Sequence, residues 1–150
     1  AITRAGKMIE YDAHDFRKPK RTKRISAFTG KPTNLLPVTE LQIACVTYYN
    51  KRRLIDAQLR HHTRLFAVGA AEGNIPLASR VLMKRMGKIR GPFDAQLIDL
   101  RNGFQYTWIE FKWGDNGYTP EQAAFAEWLS DTPIRCLAVY SLDEFIGVIS

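Results

Sequence analysis

The dipeptide Asn102-Gly103 constrains this chain more than any other feature, because it separates two apolar, strand-like segments. Asn-Gly is the strongest short-range signal for a β-hairpin, since both residues tolerate the backbone that reverses a twisted strand. Residues 93–100 and 104–113 around it are rich in Phe, Ile, Leu, Tyr and Trp. They read as antiparallel neighbours in one sheet.

The remaining elements follow from punctuation and period. Thr39 with Gln42 makes a capping box, and Leu41, Ala44, Cys45 and Tyr48 recur at helical spacing, predicting a helix over 39–60 with a break near Lys51. Leu65-Phe66-Ala67-Val68 reads as a short strand. A helix over 76–86 would start with Pro76 in its first turn and stop at Gly87. Thr119-Pro120-Glu121-Gln122 combines an N-cap, an N1 proline and a capping-box glutamine, with Phe125, Trp128 and Leu129 as the buried face of the helix. Residues 135–140 form a strand, and Ser141 opens a last helix. The order α-β-α-β-β-α-β-α predicts an α/β fold, a mixed central β-sheet flanked by helices.

With 45% apolar residues the chain can bury one core, and its two cysteines, Cys45 and Cys136, read as buried free thiols. His14, His61 and His62 lack metal-ligand spacing with them. Apolar runs of four or five residues are too short for a membrane span, so a soluble, intracellular, cytoplasmic protein is expected. The net charge of +7 is unevenly spread: residues 1–36 carry +6 and residues 51–90 carry +8, whereas residues 91–150 carry −6. We read residues 1–36 as a basic flexible arm and residues 37–150 as the folded domain. The candidate phosphate contacts are Arg17, Lys18, Lys20, Arg21, Lys23 and Arg24 in the arm, with Arg80, Lys84, Arg85, Lys88 and Arg90 farther on.

Chemistry concentrates beside the hairpin. Asp94 lies nine residues before Gly103 and Glu110 seven after it, so antiparallel pairing can bring Asp94 near Glu110 and Lys112. Alternation puts Glu110 and Lys112 on one sheet face and Phe111 on the other. Two carboxylates and an amine on one face suit a divalent cation, Mg²⁺ or Mn²⁺, better than mere packing.

The motifs Leu82-Met83-Lys84-Arg85-Met86-Gly87, Gly91-Pro92-Phe93-Asp94, Ile109-Glu110-Phe111-Lys112 and Thr119-Pro120-Glu121-Gln122, followed by Trp128, occur in that order. Together they resemble the VRR-NUC branch of the PD-(D/E)xK nuclease superfamily, in its phage or bacterial single-domain form. Leu65-Phe66 and Glu72-Gly73 are similar to its upstream strand and turn. The resemblance implies a restriction-endonuclease-like core and a Mg²⁺- or Mn²⁺-dependent endodeoxyribonuclease. It further implies that Asp94, Glu110 and the Phe111 backbone carbonyl hold the metal, that Lys112 is the catalytic lysine, and that Gln122 and Glu40 face the site. Branched DNA such as a Holliday junction would be the substrate, cut by a homodimer in a bacterial or phage-infected cell. The rival expectation is a non-catalytic nucleic-acid-binding module on a decayed nuclease core.

Overall fold

The computed structural model describes residues 23–68, 76–87 and 93–150. Strands β1 (Arg24–Ile25) and β2 (Pro32–Thr33) form a small antiparallel hairpin. Helices α1 (Pro37–Ile55) and α2 (Ala57–His62) lead into β3 (Thr63–Ala67). Helix α3 (Leu77–Arg85) precedes β4 (Ala95–Asp99) and β5 (Gln105–Phe111). Helix α4 (Pro120–Trp128), β6 (Arg135–Val139) and α5 (Leu142–Ile149) complete the order. The main sheet runs β3-β4-β5-β6, antiparallel except for the parallel β5–β6 pair, whose crossover contains α4. The mixed α/β expectation therefore holds.

One sheet face carries Ala95, Leu97, Ile109, Phe111 and Val139, all buried against Leu41, Cys45 and Tyr49 of α1 and Phe145 and Ile149 of α5. Opposite, Trp108 meets the Phe125 ring of α4 edge-on, with centroids 5.2 Å apart. Phe93 sits between Tyr118 and Phe125 at 5.0 and 6.0 Å. Cys45 is a free, buried thiol whose pKa burial pushes up to about 12, while Cys136 is free and half-buried. Among the described residues, no helix is long and apolar enough to cross a membrane.

Local details correct several expectations. Helix α1 begins at Pro37, whose fixed φ suits the first turn, and its N-cap Leu36 makes no side-chain cap; Thr39 and Gln42 lie inside the helix. The break comes at Asp56 rather than near Lys51, because the Asp56 carboxylate accepts from Leu59 N at 3.0 Å and starts α2. Pro76 is the N-cap of α3 rather than its first residue. Trp128, expected in the core, is 74% exposed, whereas Leu129, expected there with it, is buried.

The segment read as an arm contains the β1–β2 hairpin. Ser26 Oγ, buried, accepts from Phe28 N at 3.1 Å and Thr29 N at 3.0 Å, and Gly30 closes the turn at φ +66°. Arg24 pairs with Glu40 near the start of α1. The hairpin is thus tied to the domain rather than separate from it.

Candidate functional site

The site is built by strand register. A two-residue turn on Asn102-Gly103 needs both residues at positive φ, but among the described residues only glycines have it, Gly103 at +88°. The reversal is longer: Asp99 faces Gln105, and Ala95 faces Ile109 at the other end. Continuing that register one residue sets Asp94 across from Glu110. A two-residue turn would have set Asp94 across from Phe111, on the core face. The pairing of β3 also extends this far, since Val68 N donates to Asp94 O at 2.8 Å.

Asp94 Oδ2 accepts from Phe111 N at 2.9 Å, which draws the carboxyl onto the end of β5. Its pKa is pushed up to about 6, first by burial and then by the Glu110 carboxyl; the Phe111 N–H and the Lys112 charge oppose the rise. Glu110 is only 6% exposed. Its Oε1 meets Lys112 Nζ at 3.1 Å, while its buried Oε2 has no hydrogen-bond partner. Lys112 Nζ also donates to Gln122 Oε1 at 3.1 Å. Gln122 is held by the capping box of α4, where the same Oε1 accepts from Thr119 N at 3.0 Å and Gln122 N donates to Thr119 Oγ1 at 3.2 Å. Lys112 itself stays in the sheet, its N–H donating to Val139 O at 3.0 Å.

The structure therefore brings together Asp94, Glu110, Lys112 and Gln122, four residues singled out by sequence. Phe111 contributes its N–H to Asp94, and its ring packs in the core against Phe145. Glu40 is engaged elsewhere. Its carboxyl is held below the usual range first by the Ser26 hydroxyl and then by the Arg24 guanidinium. Among the described residues, no three His, Cys, Asp or Glu side chains are grouped to hold a metal ion.

Two carboxyls crowded at one strand end resist ionising together, so they take up either a proton or a cation. The unpartnered Glu110 Oε2 and the raised pKa of Asp94 fit a hard cation. Magnesium commonly binds through one or two carboxylates and keeps several waters, so a third acidic group is not required. Asp94 and Glu110 could hold it, with Lys112 limiting the accumulated negative charge.

The basic residues divide. Lys23, Arg80, Lys84 and Arg85 are exposed, and α3 has no buried residue. Arg24 is committed to Glu40 and to Leu35 O at 2.9 Å. Arg53 and Arg60 brace the α1–α2 break, each donating to the other's carbonyl, at 3.3 and 3.4 Å. Arg17, Lys18, Lys20, Arg21, Lys88 and Arg90 lie outside the described residues, as do Glu72 and Gly91-Pro92. Sequence reasoning missed Ser26, Phe28 and Trp113. Only the position of Trp113, directly after Lys112, could have signalled any of them. No protein-family model matches this chain, and neither does any curated protein or solved structure.

Proposed function

We propose that this protein is a metal-dependent endonuclease that hydrolyses DNA phosphodiester bonds at Asp94, Glu110 and Lys112. One observation carries the reading: the half-buried Asp94 carboxyl and the buried Glu110 carboxyl share the end of the β4–β5 hairpin, Glu110 with an unpartnered oxygen and an amine within 3.1 Å. Bound there, Mg²⁺ or Mn²⁺ supplies Lewis acidity, easing water deprotonation and offsetting charge on the phosphate. Asp94 and Glu110 hold and orient it through hard oxygens. Lys112, fixed by Glu110 and Gln122, presents a cation to the phosphoryl oxygens as negative charge grows there. Gln122 fixes the amine rather than reacting, because its oxygen already accepts two donors.

The finer parts of this reading come from the family resemblance: branched DNA such as a four-way junction as substrate, and two copies of the chain acting together. Two symmetric sites suit two strands of a symmetric junction. Exposed cations on α3 and the basic run before the hairpin support phosphate binding without sequence preference.

The test is cleavage of labelled duplex, flap and four-way-junction DNA with Mg²⁺, Mn²⁺ or EDTA. Metal-dependent cutting is expected, lowered by about 10²-fold or more in Asp94→Ala and in Lys112→Ala. Salt-sensitive binding with no cutting under any metal would instead identify a nucleic-acid-binding module. Cutting that survives both substitutions would contradict the site, and cutting of RNA alone would contradict the substrate.

A further inference from the structure

One member of an aromatic pair follows the candidate site in sequence. Trp113 follows Lys112 directly, so the chain that leaves the candidate catalytic amine next carries an indole. The Phe28 ring, from the β1–β2 turn, lies with its centroid 6.1 Å from that of Trp113 at an interplanar angle of 57°. Both remain open to solvent, Phe28 at 38% and Trp113 at 37%.

The backbone that carries each ring is fixed by polar contacts. Phe28 sits on the turn capped by Ser26 Oγ, and Arg24 anchors that hairpin to Glu40. On the other side, Asn116 Nδ2 donates to Trp113 O at 2.9 Å, and Tyr140 Oη donates to Asn116 O at 2.9 Å. Gly114, at φ +61°, makes the turn that Trp113 enters. Two exposed aromatics on separate elements, each on a hydrogen-bonded turn, are more than a packing remnant.

The charges around them select a partner. Lys23 and Lys31 flank the hairpin in exposed positions, and the run Arg17-Lys18-Pro19-Lys20-Arg21-Thr22-Lys23-Arg24 leads into it in sequence. Aromatic faces among cations are the composition that grips unpaired nucleic acid: phosphates meet the cations and a base stacks on the ring. A base inside a duplex is already stacked on both sides and cannot use such a surface.

We propose that Phe28 and Trp113 form a stacking platform for an unpaired base of a nucleic-acid strand. The inference goes beyond the nuclease reading, since it stands on the ring pair and the exposed lysines beside it. It adds selectivity: single-stranded or branch-point DNA over continuous duplex.

The full-length chain is tested in EDTA, where metal-dependent hydrolysis is excluded. The probes are a single-stranded oligonucleotide carrying 2-aminopurine and the same sequence as a duplex. Wild-type protein should quench the single-stranded probe on binding. Trp113→Ala should remove the quench and weaken single-strand binding about ten-fold, leaving duplex binding unchanged, while Trp113→Phe should keep most of both. Phe28→Ala should act in the same direction. Absence of quenching by wild-type protein overturns the proposal, as does a Trp113→Ala effect that is equal on both probes or nil. Should Trp113→Ala fail to fold, Trp113→Leu and the wild-type quench decide instead. Wild-type protein that binds no oligonucleotide overturns it as well and leaves a protein partner for the rings. Quenching without cleavage in Mg²⁺ would sink the nuclease reading alone; cleavage without quenching would sink the platform alone.

Discussion

Glu40 and Glu110 are the same residue type at nearly the same burial, 7% and 6% exposed, and they end in opposite states. Glu40, near the start of α1, receives Arg24 and Ser26 and ties the hairpin down. Glu110, at the end of β5, receives Lys112 on one oxygen and nothing on the other, with Asp94 crowding it. A carboxylate whose acceptors are filled is a structural strut. One left short of partners next to another carboxyl keeps the capacity to bind a cation. Sequence spacing cannot separate these cases, because both residues belong to the same resemblance. Their neighbours decide.

Removing the charge of Asp94 should have the larger effect. Its pKa rises from 3.8 to about 6, so the folded chain binds that proton more tightly than the unfolded chain does. Stability from this group is therefore present at low pH and is lost as pH climbs through about 6. Asp94→Asn keeps an acceptor for Phe111 N and should stabilise the chain by about 1–2 kcal/mol at pH 8 and negligibly at pH 4. Urea unfolding at the two pH values reads the difference; destabilisation at pH 8 would mean that Asp94 is a strut like Glu40.

Glu40→Gln should act more locally and with the opposite pH dependence. The Glu40 pKa is lowered, so its contribution is present above the ordinary carboxylate range and fades as acid protonates it. Losing the Arg24 pair should speed amide hydrogen exchange in the hairpin about ten-fold at neutral pH while the β4–β5 amides stay protected. Equal acceleration in both regions would erase the distinction between them.

Much of this arrangement was legible in the sequence, for reasons particular residues show. Thr119, Pro120 and Gln122 form a local code, and the structure contains the capping box they spell. Alternation along β5 separated Glu110 and Lys112 from Phe111 correctly. The register was less legible: Asn102-Gly103 announced a reversal, but the absence of positive φ at Asn102 lengthened the turn and shifted the pairing that aligns Asp94 with Glu110. The hairpin at Arg24 was invisible because it is stabilised by Glu40, sixteen residues away, rather than by its own strands of two residues each. Trp128 misled because an aromatic at helical spacing says nothing about where the helix runs off the sheet.

The most direct measurement is a calorimetric titration of Mn²⁺ into wild-type, Asp94→Asn and Glu40→Gln protein at pH 7.5. Saturable binding is expected for wild-type and Glu40→Gln protein, and its loss in Asp94→Asn. Binding that persists in Asp94→Asn, or that disappears in Glu40→Gln instead, would contradict a cation site at Asp94 and Glu110.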